Sequence, residues 1–320
     1  MNLAVLLAAA AAAAVPAHRA QPYLTAQTSA FGALIEGAGV DSLGRLYAVH
    51  YNASTAAVGR VFPAQELFYA DRARPAAWFN GVRFGGGAAL LADVRGHRVA
   101  RVRDMGAFSH AETRCHDAAM LQPNDLALAH STGRLFLSGM NYTRDSAVGS
   151  GDLWTCDARG VATRLGLFHR TNGIELSPDE RTLYLSEAEN KGGAVVANRI
   201  LAFDVDAATG AVSNRRTFAD FGALDGSAAS DVDGMRADER GFLYVARWGR
   251  GRVAVLTPAG ALHAYILLST ISEVTSVELA GPAGRDLFAV GACSADPARG
   301  CVERWPAPAR GRAFARLQGQ

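Results

Sequence analysis

One short apolar motif recurs six times along the chain, and that recurrence limits the folds open to it more than any other feature. Leu46-Tyr47-Ala48-Val49, Leu90-Leu91-Ala92-Asp93, Leu135-Phe136-Leu137-Ser138, Leu183-Tyr184-Leu185-Ser186, Leu243-Tyr244-Val245-Ala246 and Leu287-Phe288-Ala289-Val290 all read as strand cores. Their starts are 44, 45, 48, 60 and 44 residues apart. The fullest copy, Ser230 to Trp248, carries Asp233-Gly234, a turn from Asp238 to Gly241 and then the strand, which is a β-hairpin pattern. Strands and turns at a period of roughly 40–50 residues are the pattern of propeller blades. The chain is therefore expected to be all-β: a six-bladed propeller of four-stranded antiparallel blades around a central channel. Residues 21–320 would form a single domain. A strand around Cys301–Trp305 is expected to pair with the N-terminal strand and close the ring, leaving no open sheet edge.

Ten or eleven residues before each core stands one oxygen-bearing side chain: Glu36, Asn80, Asn124, Asn172, Asp233 and Ser276. Any one of them alone reads as a turn residue. Together they share one phase of the repeat, which in a propeller places them on a ring around the channel. Asn52 and Asn190 are out of phase and read as loop residues. A ring of carboxylate and amide oxygens suits a hard divalent cation, Ca²⁺ first, with Mg²⁺, Mn²⁺ or Zn²⁺ as alternatives. Glu36 and Asp233 would neutralise its charge, and Asn124 and Asn172 would add neutral oxygens. Calcium takes about six to eight oxygen ligands, so positions would remain for water and substrate.

Other chemistries lack their signatures. Net charge is +2 with no basic stripe, which argues against nucleic acid. The Gly85-Gly86-Gly87 triplet has no following Lys-Ser/Thr for a phosphate loop, and no Gly-x-Ser-x-Gly elbow offers a serine nucleophile. The four cysteines have no zinc spacing. After the N-terminal apolar run no helical stripe of any length is evident.

Residues 1–17 are mostly Leu, Val and Ala and end in Val15-Pro16-Ala17, a run short for a membrane span and suited to a signal peptide cut near residues 17–20. Residues 1–20 are accordingly set outside the fold, and the mature protein is expected to be secreted, monomeric and free of the membrane. Asn52-Ala53-Ser54 and Asn141-Tyr142-Thr143 are glycosylation sequons. Cysteines 115, 156, 293 and 301 are even in number and allow three connectivities. Cys293 with Cys301, across a short loop, and Cys115 with Cys156 is the expected pairing.

Glu36-Gly37, Pro123-Asn124-Asp125, Asn172-Gly173-Ile174-Glu175-Leu176-Ser177-Pro178-Asp179 and Asp233-Gly234-Met235 resemble the senescence-marker-protein/gluconolactonase family. The resemblance covers roughly residues 30–292. It implies a six-bladed propeller whose channel metal is held by Glu36, Asn124, Asn172 and Asp233, with Asp233 also the general base. Three departures stand out: Ala38 follows Gly37, Gln122 stands where some members have an Arg that grips substrate, and Val232 replaces a common Pro. They alter substrate contacts and leave the metal set whole.

The expected activity is hydrolysis of a cyclic ester, with Asp233 orienting and deprotonating water beside a Lewis-acidic cation. Asn80, Gln122, Asn141, His50 and Ser276 are candidates for contact with substrate or for support of the ligands, and the substrate would be a small lactone or ester. The competing readings are an arylesterase- or phosphotriesterase-like hydrolase, a strictosidine-synthase-like propeller, and a non-enzymatic platform with a structural ion.

Overall fold

The computed structural model describes residues 14–73, 75–103 and 110–319. Six small sheets follow one another around a ring. The first blade comprises strands Gly39–Val40, Leu46–Val49, Ala57–Phe62 and Glu66–Ala70. The second runs Phe79–Gly85, Ala88–Asp93, Arg98–Arg103, Ala111–His116, and the third Gln122–Ala129, Arg134–Met140, Gly151–Cys156, Ala162–Phe168. The fourth has Arg170–Leu176, Thr182–Lys191, Ala194–Val205 and Val212–Asp220. The fifth has Val232–Ala237, Leu243–Arg247, Arg252–Leu256 and Leu262–Leu267, and the sixth Ile271–Ala280, Asp286–Cys293 and Gly300–Pro306. Each repeated apolar motif lies in the second strand of its blade, buried on both sheet faces.

The expected closure is present. Gln21–Leu24 pairs antiparallel with Gly300–Pro306 and supplies the outer strand of the sixth blade. Just before it, Ala17–Arg19 runs parallel to Leu262–Leu267 on the edge of the fifth blade. Residues 17–24 thus strap two blades together, although the sequence pattern places residues 1–20 outside the fold. A cut after Ala17 would leave His18 and Arg19 on that edge. Residues 1–13, the body of the expected signal, lie outside the described residues.

Among the described residues the apolar core is divided into six clusters, one in each gap between neighbouring blades. Val40, Leu46 and Val61 pack against Phe288, Val290 and Val302 where the first blade meets the sixth. Leu90, Val99 and Met120 meet Leu126, Leu137 and Trp154 between the second and third. Buried on both faces, each sheet needs apolar side chains on both, which is why the second strands read as near-continuous apolar runs rather than alternating ones.

Both cysteine pairs form as expected. Cys115–Cys156 joins the outer strand of the second blade to the third blade, with Cα atoms 6.3 Å apart. Cys293–Cys301 staples neighbouring strands of the sixth, with Cα atoms 5.0 Å apart.

Two expectations are corrected. Asn190, expected in a loop, is paired near the end of a long hairpin formed by Thr182–Lys191 and Ala194–Val205. Its turn is Gly192-Gly193, both at positive φ (60° and 85°), a glycine pair that favours a tight hairpin. Helix is also present: Phe221–Asp225, capped by Asp220, and Arg312–Gln318 at the C-terminus. The second is too short to show a helical period and has no side-chain N-cap, so tertiary contacts fix it. Among the described residues, no helix is long and apolar enough to cross a membrane.

Candidate functional site

Five of the six in-phase residues sit at one recurrent irregularity. The inner strand slips register against its neighbour between Phe79 and Val82, Pro123 and Leu126, Thr171 and Ile174, Val232 and Met235, and Val274 and Ser276. Asn80, Asn124, Asn172, Asp233 and Ser276 fall in or at the edge of these bulges. Bulges re-aim side chains at the ends of sheets and recur beside active sites. In the first blade Glu36 precedes the inner strand, with its carbonyl accepting from the N–H of Val49.

Close backbone packing joins these bulges into a ring. A Cβ on Gly37 would lie 1.8 Å from the carbonyl oxygen of Asn80, and one on Gly81 would lie 3.0 Å from that of Asn124. A Cβ on Gly173 would lie 2.1 Å from the carbonyl oxygen of Asp233, and one on Gly234 would meet Oγ of Ser276 at 2.7 Å. The Ser138 hydroxyl donates to the carbonyl of Asn172 and accepts from the N–H of Asp125, linking the third and fourth blades. Thr275 Oγ1 donates to the carbonyl of Ile35 at 2.7 Å, which closes the circle. Glycine after the ring residue lets adjacent blades approach backbone to backbone.

Above the ring opens a cavity of about 510 Å³. Glu36, Asn80, Gln122, Asn124 and Asp233 line it; Asn172 and Ser276 are buried in the ring beside it. Two other sequence candidates lie elsewhere. His50 is buried under the loop at residues 32–34, and its Nδ1 accepts the Leu34 N–H at 2.9 Å. Burial lowers its pKa, so it stays neutral there. Asn141 is exposed, as is Asn52 of the other sequon.

Glu36 and Asp233 lie within hydrogen-bonding reach of each other. Burial pushes Glu36 up to about 7, against the pull of the Gly37 N–H, which donates to its Oε2 at 2.8 Å. Burial also pushes Asp233 well above the ordinary carboxylate range, and the charges of Glu36, Asp231 and Asp125 add to the effect. Asp233 Oδ1 is buried and has no partner among the described residues. Two adjoining carboxyls at the floor of a cavity, one with an orphaned oxygen, form an arrangement that a divalent cation relieves. Among the described residues no three His, Cys, Asp or Glu side chains form a metal cluster. The amide oxygens of Asn124 and Asn172 would therefore complete the set. These four oxygen donors fit a hard cation.

Sequence reading missed two features. The first is a layer of buried charge below the ring. Arg83 pairs with Asp125 at 3.0 Å, Arg236 with Glu278 at 3.1 Å, and Arg312 of the C-terminal helix with Glu175 at 2.6 Å. Arg312 also donates to the carbonyl of Leu128, so the helix is tied to both the third and the fourth blades. A signal was available: Arg83, Glu175, Arg236 and Glu278 each stand between apolar neighbours two or three residues after a ring position. The second is the pair Arg170–Asp231 beside Asp233, which Asn198 supports with a 3.0 Å hydrogen bond.

The fold and site define a six-bladed propeller with a carboxylate–amide ring at the floor of an open cavity. Residues 68–292 match the family described as the SMP-30/Gluconolactonase/LRE-like region, and the chain belongs to that family. Regucalcin of Xenopus laevis is 30% identical over 123 residues, which is 38% of this chain and 38% of that protein's length. Among solved structures, a calcium-binding regucalcin from Agrobacterium tumefaciens superposes with a TM-score of 0.71 at 19% identity, covering 93% of this chain and 96% of its own. A gluconolactonase from Xanthomonas campestris gives 0.63 at 20% identity, covering 92% and 99%.

Proposed function

We propose that this protein is a secreted, metal-dependent hydrolase that opens a lactone ring. The observation that carries the proposal is the buried Glu36–Asp233 pair with its orphaned Asp233 oxygen at the floor of the cavity. Membership of a family named for a gluconolactonase supports the same chemistry. Glu36, Asn124, Asn172 and Asp233 would hold the cation, Ca²⁺ before Mg²⁺, Mn²⁺ or Zn²⁺. The bound ion would act as a Lewis acid toward the ester carbonyl.

The chain's own residues supply the remaining steps. Asp233 Oδ1, without a donor among the described residues, accepts a proton from the attacking water. Oxygen of that water bonds to the carbonyl carbon, the ring C–O bond breaks, and the proton passes to the departing ring oxygen to give the hydroxy acid. Asn80 and Gln122 line the cavity within reach of a bound ester and offer amide groups to hold it. The walls exclude bulk water, which strengthens each polar contact inside. Secretion rests on the N-terminal apolar run, the exposed sequons and the two disulfides.

The test is hydrolysis of a lactone panel by protein treated with EDTA and then given Ca²⁺. Turnover lost to the chelator and restored by the ion is expected. No turnover of any lactone, with the ion shown to bind by calorimetry, would favour a binding platform instead.

A further inference from the structure

The rim of the cavity is apolar and aromatic to an unusual degree. Trp78, Tyr142 and Trp248 line it and remain 38%, 68% and 42% exposed, and Leu34 is 51% exposed. Large apolar side chains left in water and gathered around one opening mark a binding surface. Trp78 leads into the second blade and Trp248 leaves the second strand of the fifth, so the two indoles come from opposite sides of the ring. Val94, Met140 and Ala292 continue the apolar wall inward.

The charges on the wall share one sign. Glu36, Asp233 and Glu273 line the cavity, and no Lys, Arg or His does so among the described residues. Arg170 is engaged by Asp231 and lies 5.5 Å from the ring centroid of Tyr142. The Thr275 hydroxyl is already committed to the carbonyls of Ile35 and Val290, so beside the four residues assigned to the ion the neutral polar groups are the amides of Asn80 and Gln122 at the wall and the Tyr142 hydroxyl at the rim. A polyhydroxylated ring would set part of its hydroxyls against the apolar walls at Leu34, Trp78, Val94 and Trp248, where they lose water without a partner, and each such loss is costly. The cavity also falls within the roughly 300–1,000 Å³ of sites that enclose drug-sized molecules.

Building on the hydrolase reading above, we infer that the substrate is a neutral cyclic ester bearing an aromatic or bulky apolar group, held between Trp78 and Trp248, and that anionic and polyhydroxy lactones are discriminated against. The ester group would lie at the carboxylate–amide floor and the apolar group at the aromatic rim. The charged side chains an anion would meet there, among the described residues, are all carboxylates, apart from whatever charge the bound cation neutralises.

The test compares four lactones on the full chain loaded with Ca²⁺: dihydrocoumarin, δ-valerolactone, glucono-1,5-lactone and glucaro-1,4-lactone, which carries a carboxylate. The expected kcat/KM for dihydrocoumarin exceeds that for δ-valerolactone by at least about tenfold and that for glucarolactone by about a hundredfold, the scale that apolar pockets reach. Trp78→Ala and Trp248→Ala should each shrink the first ratio severalfold, through KM more than kcat. Because both side chains are at the rim, Trp→Leu variants serve as folded controls of intermediate effect. Chroman, which has the ring system without the ester carbonyl, is titrated in parallel by tryptophan fluorescence. Chroman binding that weakens in the Trp variants, without turnover of any lactone, would retain the apolar selectivity while removing the hydrolase reading. Preference for gluconolactone, ratios unchanged in both Trp variants, or no chroman binding would overturn the inference.

Discussion

Gly37 and Asn80 touch backbone to backbone: a Cβ on Gly37 would stand 1.8 Å from the Asn80 carbonyl oxygen, and Gly37 holds φ at +61°. The contact fixes Glu36 of the first blade against the second. Gly37→Ala would add left-handed strain, about 1–2 kcal/mol, and force the two blades apart. Gly86 is a matched control, because its φ is +58° but a Cβ there would meet nothing within 4 Å. Urea unfolding should show Gly37→Ala losing at least about 1 kcal/mol more than Gly86→Ala, with cation affinity reduced only in the former. Equal losses in the two variants would mean that the contact does not set the ring.

Asp233 is predicted to act at once as an ion ligand and as a proton acceptor. An ion at a hundredfold excess over its Kd stabilises the fold by about 2.7 kcal/mol. Wild type should gain thermal stability on addition of Ca²⁺, and Asp233→Asn should gain little. Without the ion the variant should be at least as stable as wild type, since repulsion from Glu36, Asp231 and Asp125 is removed. Lactone turnover should fall by about 10²–10⁴, the usual range for loss of a general base. A variant that gains as much from Ca²⁺ as wild type would take Asp233 out of the ion site.

The blades and the ring were legible in the sequence because both are periodic. Six apolar strands and six oxygen-bearing residues in one phase need no knowledge of tertiary packing to be found. His50 and Asn141 were less well placed by phase alone. Each follows a strand core, but His50 turns back under residues 32–34 and Asn141 faces solvent. The Arg312–Glu175 pair could not be read, because its partners are 137 residues apart and the helix bearing Arg312 has no side-chain N-cap and is too short for a period. The lip of Trp78, Tyr142 and Trp248 also escaped notice: its members occupy different phases of their repeats and converge only in space.

The two disulfides should differ in weight. Cys115–Cys156 closes 41 residues and ties neighbouring blades, whereas Cys293–Cys301 closes 8 residues within one blade. Chain entropy predicts about 4 kcal/mol for the longer loop and about 2.5 kcal/mol for the shorter. Replacing the first pair with serine should lower the unfolding free energy more than replacing the second, as measured by urea titration under matched conditions. The reverse order would show that the strand joint in the sixth blade dominates stability.

Acid should destabilise the fold in part through His130. The residue follows the inner strand of the third blade, near the C-terminal helix. Burial, with the positive charge of Arg312, lowers its pKa to about 4, while Glu180 and Glu175 pull the other way and Arg316 adds to the depression. Unfolded, it would titrate near 6.5, so the unfolded chain binds the proton first as pH falls. The associated stability is fully present above about 6.5 and drains away as pH drops through about 4. His130→Gln keeps the shape without the titration. Its urea midpoint should therefore fall less than that of wild type between pH 7 and about pH 4.5. Parallel losses in the two proteins would assign the acid sensitivity to other groups.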